Sequence, residues 1–216
     1  MIKRNCTGLF IVIDGSDGSG KKTQSDILVE RLKQEGHKTA SYDFPQYYTS
    51  FFGKMTGDFL TGKFGSPDKM NPYIVSLLYA GDRWLASKSI IKDLEQDKIV
   101  IANRFTSSNM AHQAGKISDI AEKEKYLEWL NELEHNIYGI PKPDAVIYLY
   151  VPLKISQRLL ETKGERKYVG AAKDQVESNA QYLRNSINEY LRLVDKYPNW
   201  HKIDCSTFFI FGVIID

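Results

Sequence analysis

The stretch IDGSDGSGKKT, Ile13 to Thr23, decides the reading of this chain. It follows directly on an apolar run, LFIVID (Leu9 to Asp14), and opens a segment of helical spacing. Glycines at 15, 18 and 20 let a backbone close around an anion with its amide hydrogens turned inward. The positive end of the helix that follows adds to the attraction. The pattern G-x-x-x-x-G-K-[ST] is met at Gly15, Gly20 and Lys21, but Lys22 stands where the magnesium-holding hydroxyl belongs. A strand before and a helix after are the context this motif requires. Gly15, Ser16, Asp17, Gly18, Ser19, Gly20 and Lys21 are therefore read as a phosphate-binding loop, with Lys22 and Thr23 beginning the helix. Lys21 reaches the terminal phosphates. Without the usual hydroxyl, magnesium is expected to be held mostly through water and phosphate oxygens, which is its habit. Thr23 offers the nearest hydroxyl, although adjacent helix residues point in different directions.

Working outward, KIVIAN (Lys98 to Asn103) and DAVIYLYV (Asp144 to Val151) are also continuous apolar runs, as parallel strands buried on both faces require. TASYDF (Thr39 to Phe44) and HKIDC (His201 to Cys205) are weaker strands. Between them lie helical segments: 71–97, with Asn71 as N-cap and Pro72 in the first turn, then 122–139 and 173–197. Strand and helix alternating five times predict an α/β fold, a doubly wound parallel five-stranded sheet with flanking helices in a single domain, 1–216. Ligands of such sheets bind beyond the carboxyl ends of the strands. Arg104 follows one of those ends.

Composition narrows the class. With 42% hydrophobic and 26% charged residues, 216 residues suffice for one well-buried core. A net charge of +2 is too small to argue for a nucleic-acid partner. Cys6 and Cys205 stand far apart, which suits reduced thiols. The apolar end, 208–215, is too short to span a membrane. No leader segment is read at the start, and the expected location is the cytoplasm.

From about Gly8 to Cys205 the chain resembles the thymidylate kinases, P-loop nucleoside-monophosphate kinases. Six pieces occur in that family's order: FIVIDGSDGSGKKTQ, DFPQY, LLYAGDRW, NRFTSSNMAHQAG, KPDAVIYLYVP and KDQVESNAQYL. The resemblance implies a P-loop NTPase-type sheet with a short lid at about 161–173. It also implies phosphoryl transfer from ATP to dTMP, giving dTDP and ADP, in a magnesium-dependent homodimer. By the same resemblance, Asp17 would accept a bond from the sugar 3′-hydroxyl, and Tyr79 would stack on thymine. Arg83 would bond the carbonyl edge of the base, while Phe44 and Pro45 border its methyl group. Arg104 would grip the acceptor phosphate, Ser108 and Gln113 belong to the base-side wall, and His112 crowds the sugar 2′-position. From the residues alone, Tyr79 reads equally well as core, Arg83 as a solvated helix charge, and His112 as a packed or surface histidine.

The match departs in four places. Lys22 replaces the metal-holding hydroxyl, and Asn103 replaces the aspartate of the Asp-Arg-Tyr motif that orients hydrated magnesium. The metal ligands are therefore left open, with Thr23 and Asn103 acting through water. Gln46 stands near a phosphate-binding arginine of many members, and Gln175 near a lid arginine of some. Gly18 also occupies a place where other members carry a loop arginine. The lid, with Arg158, Lys163, Arg166 and Lys167, would then supply the transition-state cation, Arg166 foremost. These departures bear on rate, and they motivate two competing expectations: a nucleotide-binding regulator with little turnover, or a kinase of another nucleotide. Whether dUMP is accepted, and what the tail 206–216 does, the sequence leaves open.

Overall fold

A computed structural model describes residues 7–161 and 179–206. Its sheet has five parallel strands in the order β2-β3-β1-β4-β5. The elements run β1 (Leu9–Gly15), α1 (Lys21–Gln34), β2 (Thr39–Asp43), α2 (Phe51–Leu60), α3 (Pro72–Glu95) and β3 (Ile99–Asn103). After these come α4 (Thr106–Ala114), α5 (Ile120–Asn131), a π-helical segment (Glu132–Ile137) and β4 (Ala145–Tyr150). The chain continues through α6 (Leu153–Glu161), α7 (Ala180–Lys196) and β5 (Trp200–Asp204). Each of the five expected strands is present within one or two residues of its expected bounds. Asn71 caps α3 as anticipated, its side chain accepting the Tyr73 amide at 2.9 Å.

The unbroken apolar runs are explained by burial on both faces. Phe10 and Val12 of β1 face a core shared with α3, α4, α5 and α7, including Ile90, Leu94, Ala111, Tyr126 and Tyr190. Ile13 turns to the opposite side, with Val29 of α1, Ile101 and Leu149. Strand order reverses at the β1/β3 boundary, because the chain leaves β1 toward β3 and β2 but later returns to β4 on its other side. Loops leaving β1 and β3 therefore open a crevice between them, where α/β sheets bind ligands.

One helical run behaves unexpectedly. The segment expected to be regular helix over 122–139 widens after Asn131 into the π-helical turn. That turn buries both Leu133 and Glu134, although the residues are adjacent. Wide turns of this kind re-aim side chains and occur often at functional sites.

Candidate active site

The loop after β1 is shaped by close approach. A Cβ at Gly15 would meet the Leu149 carbonyl oxygen at 2.6 Å, so only glycine fits against β4 there. Gly20 caps α1 with φ 80°, in the left-handed region that favours glycine. Ser156 of α6 donates to the Asp17 carbonyl, tying the loop to the helix that leads toward the expected lid. Lys21 is buried, its Nζ donating to the Ser16 carbonyl at 2.7 Å. The loop thus holds its lysine over itself.

Two clefts meet at this loop. The first, about 840 Å³, is lined by Gly18, Gly20, Lys21, Lys22, Thr23, Asp43 and Asn103. The second, about 590 Å³, is lined by Pro45, Tyr79, Arg83, Ser108, Asn109, His112 and Gln113, with Asp82 and Tyr182. Asp17, Phe44, Tyr47 and Arg104 line both. Asp17 and Arg104 form an ion pair at the join. Arg104 sits at φ 63°, a strained conformation for a residue other than glycine, and its Nη1 lies 3.5 Å from His112 Nε2. His112 stacks on Tyr182 with ring centroids 5.7 Å apart. Burial pushes its imidazole down to about 4; Asp17 opposes that shift and Arg104 adds to it. The ring is neutral at physiological pH. Among the described residues, Asp43 stands at the rim with its carboxyl raised by desolvation, against the pull of its hydrogen bond from Asn103 and of Lys22 and Arg104.

The expected residues come together with several qualifications. Tyr79 both packs edge-on against Phe59, at 6.3 Å, and faces the second cleft. Arg83 is not a solvated charge: only 2% exposed, it forks onto Glu134 through Nε and Nη2, both at 2.6 Å. Its Nη1 is left toward the Phe105 carbonyl at 3.4 Å. Ser108 lines the cleft, but its hydroxyl belongs to Asp14 at 2.9 Å. Gln113 is buried, and among the described residues its Oε1 has no hydrogen-bond partner. Lys22 lines the first cleft yet pairs with Asp26 one turn along α1, both side chains well exposed. Thr23 is exposed at the cleft, and Arg158, exposed on α6, lines neither cleft. Lys163, Arg166, Lys167 and Gln175 lie outside the described residues.

Sequence reasoning missed the groups that hold the wall in place. Asp14 is wholly buried and accepts from Ser107 at 2.5 Å, Tyr190 at 2.7 Å and the Gly15 amide at 2.8 Å, besides Ser108. Asp82 accepts the Gln46 amide at 2.8 Å and the Ser50 hydroxyl, docking the Phe44–Pro45 segment onto α3. Tyr47, rather than Gln46, faces the clefts. Glu134 and Asn109 complete the wall around Arg83. Asp82 precedes Arg83 in LLYAGDRW and was legible there; Glu134 depends on the π-helical turn and was not.

The family model for thymidylate kinase matches residues 13–207. Thymidylate kinase of Schizosaccharomyces pombe is 29% identical over 185 residues, covering 86% of this chain and 78% of that protein. A probable thymidylate kinase of Thermococcus onnurineus is 31% identical over 195 residues, covering 88% of this chain and 86% of its own. The solved thymidylate kinase of Candida albicans superposes with a TM-score of 0.70 at 23% identity, over 92% of this chain and 84% of that one. A glycine-rich loop at a strand-order reversal, with an aromatic-walled cleft joined to it through Arg104, is in keeping with these four matches, and this chain belongs to the thymidylate kinase family.

Proposed function

We infer that the protein transfers the terminal phosphoryl group of ATP to dTMP, giving dTDP and ADP. The observation that carries this reading is the join: a phosphate cradle and an aromatic-walled cleft share Asp17 and Arg104. A nucleotide in each would bring its phosphates to the same point. The attacking atom is an oxygen of the dTMP phosphate, already anionic, so no general base is needed. It forms a bond to the γ-phosphorus of ATP while the bond from that phosphorus to the β–γ bridging oxygen breaks, the electron pair leaving with ADP. Catalysis is then positioning and charge stabilisation. Arg104 holds the acceptor phosphate and Lys21 the donor. Arg166 is our candidate for the lid cation.

Several contacts favour thymine. Arg83 Nη1 is a donor suited to a base carbonyl, and Gln113 Oε1, without a partner among the described residues, is an acceptor suited to the ring N–H. Tyr79 offers an aromatic face to a planar base. His112 crowds the sugar 2′-position, which predicts a deoxyribose preference.

Magnesium is the implied cofactor, and the donor set fits a hydrated ion. Among the described residues no three acidic, histidine or cysteine side chains form a metal cluster, whereas Asp17, Thr23 and Asn103 offer oxygens beside the phosphate cradle. When bound, it neutralises charge on the donor phosphates. We also propose a homodimer working in the cytoplasm. Helix α3 presents Ile74, Leu77, Trp84 and Leu85 to solvent at helical spacing, an apolar stripe of the kind a partner covers. Among the described residues no helix is long and apolar enough to cross a membrane.

A coupled assay for ADP release tests the reading. ADP production should depend on dTMP and exceed that with dUMP, other monophosphates or ribothymidine monophosphate. Release no faster with dTMP than without an acceptor would overturn it.

A further inference from the structure

Strands β2 and β3 end side by side, with Asp43 and Asn103 as register partners. Asn103 Nδ2 donates to Asp43 Oδ1 at 2.6 Å. Because a carboxylate only accepts, this bond fixes the amide orientation: nitrogen toward Asp43, carbonyl oxygen away from it. That oxygen, Asn103 Oδ1, is buried and among the described residues has no hydrogen-bond partner, in a residue only 8% exposed. Asp43 itself is exposed at the cleft rim, where Lys22 and Arg104 also act on its carboxylate, and among the described residues its Oδ2 takes part in no hydrogen bond, so water can meet it. Both residues line the cleft that contains Gly18, Gly20 and Lys21.

The buried Asn103 Oδ1, with the exposed Asp43 carboxylate beside it at the edge of a phosphate cradle, poses a problem of pairing. Phosphate oxygens also only accept, so direct contact would be repulsive. The species that satisfies both sides has a positive centre for the phosphates and donors for the strand ends. A hydrated divalent cation has that pattern, since its waters donate outward. Leaving Asn103 Oδ1 empty-handed would cost what any buried, unsatisfied acceptor costs. The amide alone carries no charge, and the negative charge that a carboxylate at position 103 would bring stands one strand over, at Asp43.

We propose that Asp43 and Asn103 together form the outer-sphere receptor for the divalent cation that accompanies the donor nucleotide, with Asp43 supplying its carboxylate from β2. Asp43 is thus a positioning residue: it acts on the phosphates only through the ion's water shell and orients the Asn103 amide in doing so. The proposal rests on the reading that the donor phosphates occupy the cradle.

The test uses Mn2+ as the probe, with dTMP and a non-hydrolysable ATP analogue on the full-length protein, and reads free Mn2+ by electron paramagnetic resonance. Asp43→Asn should weaken Mn2+ binding in this complex about tenfold, as loss of an outer-shell partner typically does. Asp43→Ser should do the same. The double variant Asp43→Asn with Asn103→Asp exchanges carboxylate and amide between the strands, and should recover most of the loss. Binding of dTMP and the analogue in EDTA is measured alongside. Nucleotide binding intact, with Mn2+ affinity moved by less than about twofold in both single variants, would overturn the proposal alone. A double variant no better than Asp43→Asn would also overturn it. A parent protein that binds neither nucleotide would overturn the kinase reading and this proposal with it.

Discussion

Arg104 concentrates the chemistry of the site in one residue. Its backbone is held at φ 63° and its side chain is paired to Asp17, so the guanidinium is aimed before any ligand arrives. Charge-assisted bonds to a phosphate are worth about 1.5–3 kcal/mol each. Arg104→Ala should therefore weaken dTMP binding at least tenfold, by about 1.4 kcal/mol or more, as read by calorimetry. Binding of a non-hydrolysable ATP analogue should fall much less. An unchanged dTMP affinity would remove Arg104 from the acceptor site. His112 makes a different statement. Its folded value of about 4 lies below the 6.5 of an unfolded histidine, so the unfolded chain takes up the proton first. Stability from this ring is fully present above pH 6.5 and is lost as pH falls toward 4. The loss is on the order of 3 kcal/mol at 1.36 kcal/mol per pKa unit. His112→Phe keeps a ring against Tyr182 and should lack that dependence. Urea unfolding of both proteins between pH 7 and pH 4 measures the difference.

At the scale of elements, the π-helical segment after α5 determines how the base wall is built. It turns Glu134 inward to meet Arg83, and Thr106 and Asn109 of α4 also donate to the same carboxylate, at 2.8 and 3.4 Å. Breaking a buried pair by removing one partner costs about 3–5 kcal/mol, because the other charge is left buried without compensation. Glu134→Gln should lower the unfolding free energy in urea by an amount of that order. Replacing both partners, Arg83→Met with Glu134→Met, should recover much of the stability. The double variant should still discriminate thymine poorly from other bases, since Arg83 Nη1 would be gone. Stability and specificity separate in that comparison.

For the molecule as a whole, the apolar stripe of α3 is the unresolved surface. Trp84 is 47% exposed, with its ring tilted against Tyr138 at 6.0 Å, an arrangement that leaves much of a large aromatic side chain in water. If a second copy covers it, Leu77→Glu with Trp84→Glu should raise the dimer dissociation constant at least about thirtyfold, given the weight aromatic anchors carry in interfaces. Sedimentation equilibrium reads this directly. The monomer's own urea transition should hardly move, because these side chains contribute little to its core.

The sequence by itself determined the strands, the phosphate loop and the sheet class. Each is written in local pattern: two-sided burial makes a run such as LFIVID continuous, only glycine fits against β4 at Gly15, and the left-handed backbone at Gly20 favours it. Arg104 was legible for a related reason, since its place at a strand end follows from chain order alone. Tertiary structure decided the partnerships. From the residues alone Arg83 read as a helix charge until Glu134 met it across 51 residues, and Asp43, inside TASYDF, carried no reading of its own until β3 set it beside Asn103. Lys22 went the other way, its motif position pointing to phosphate while its side chain took Asp26 four residues along. A residue's type and spacing carry its capacity for charge and hydrogen bonding, but which partner satisfies that capacity depends on distances that only the packed chain creates.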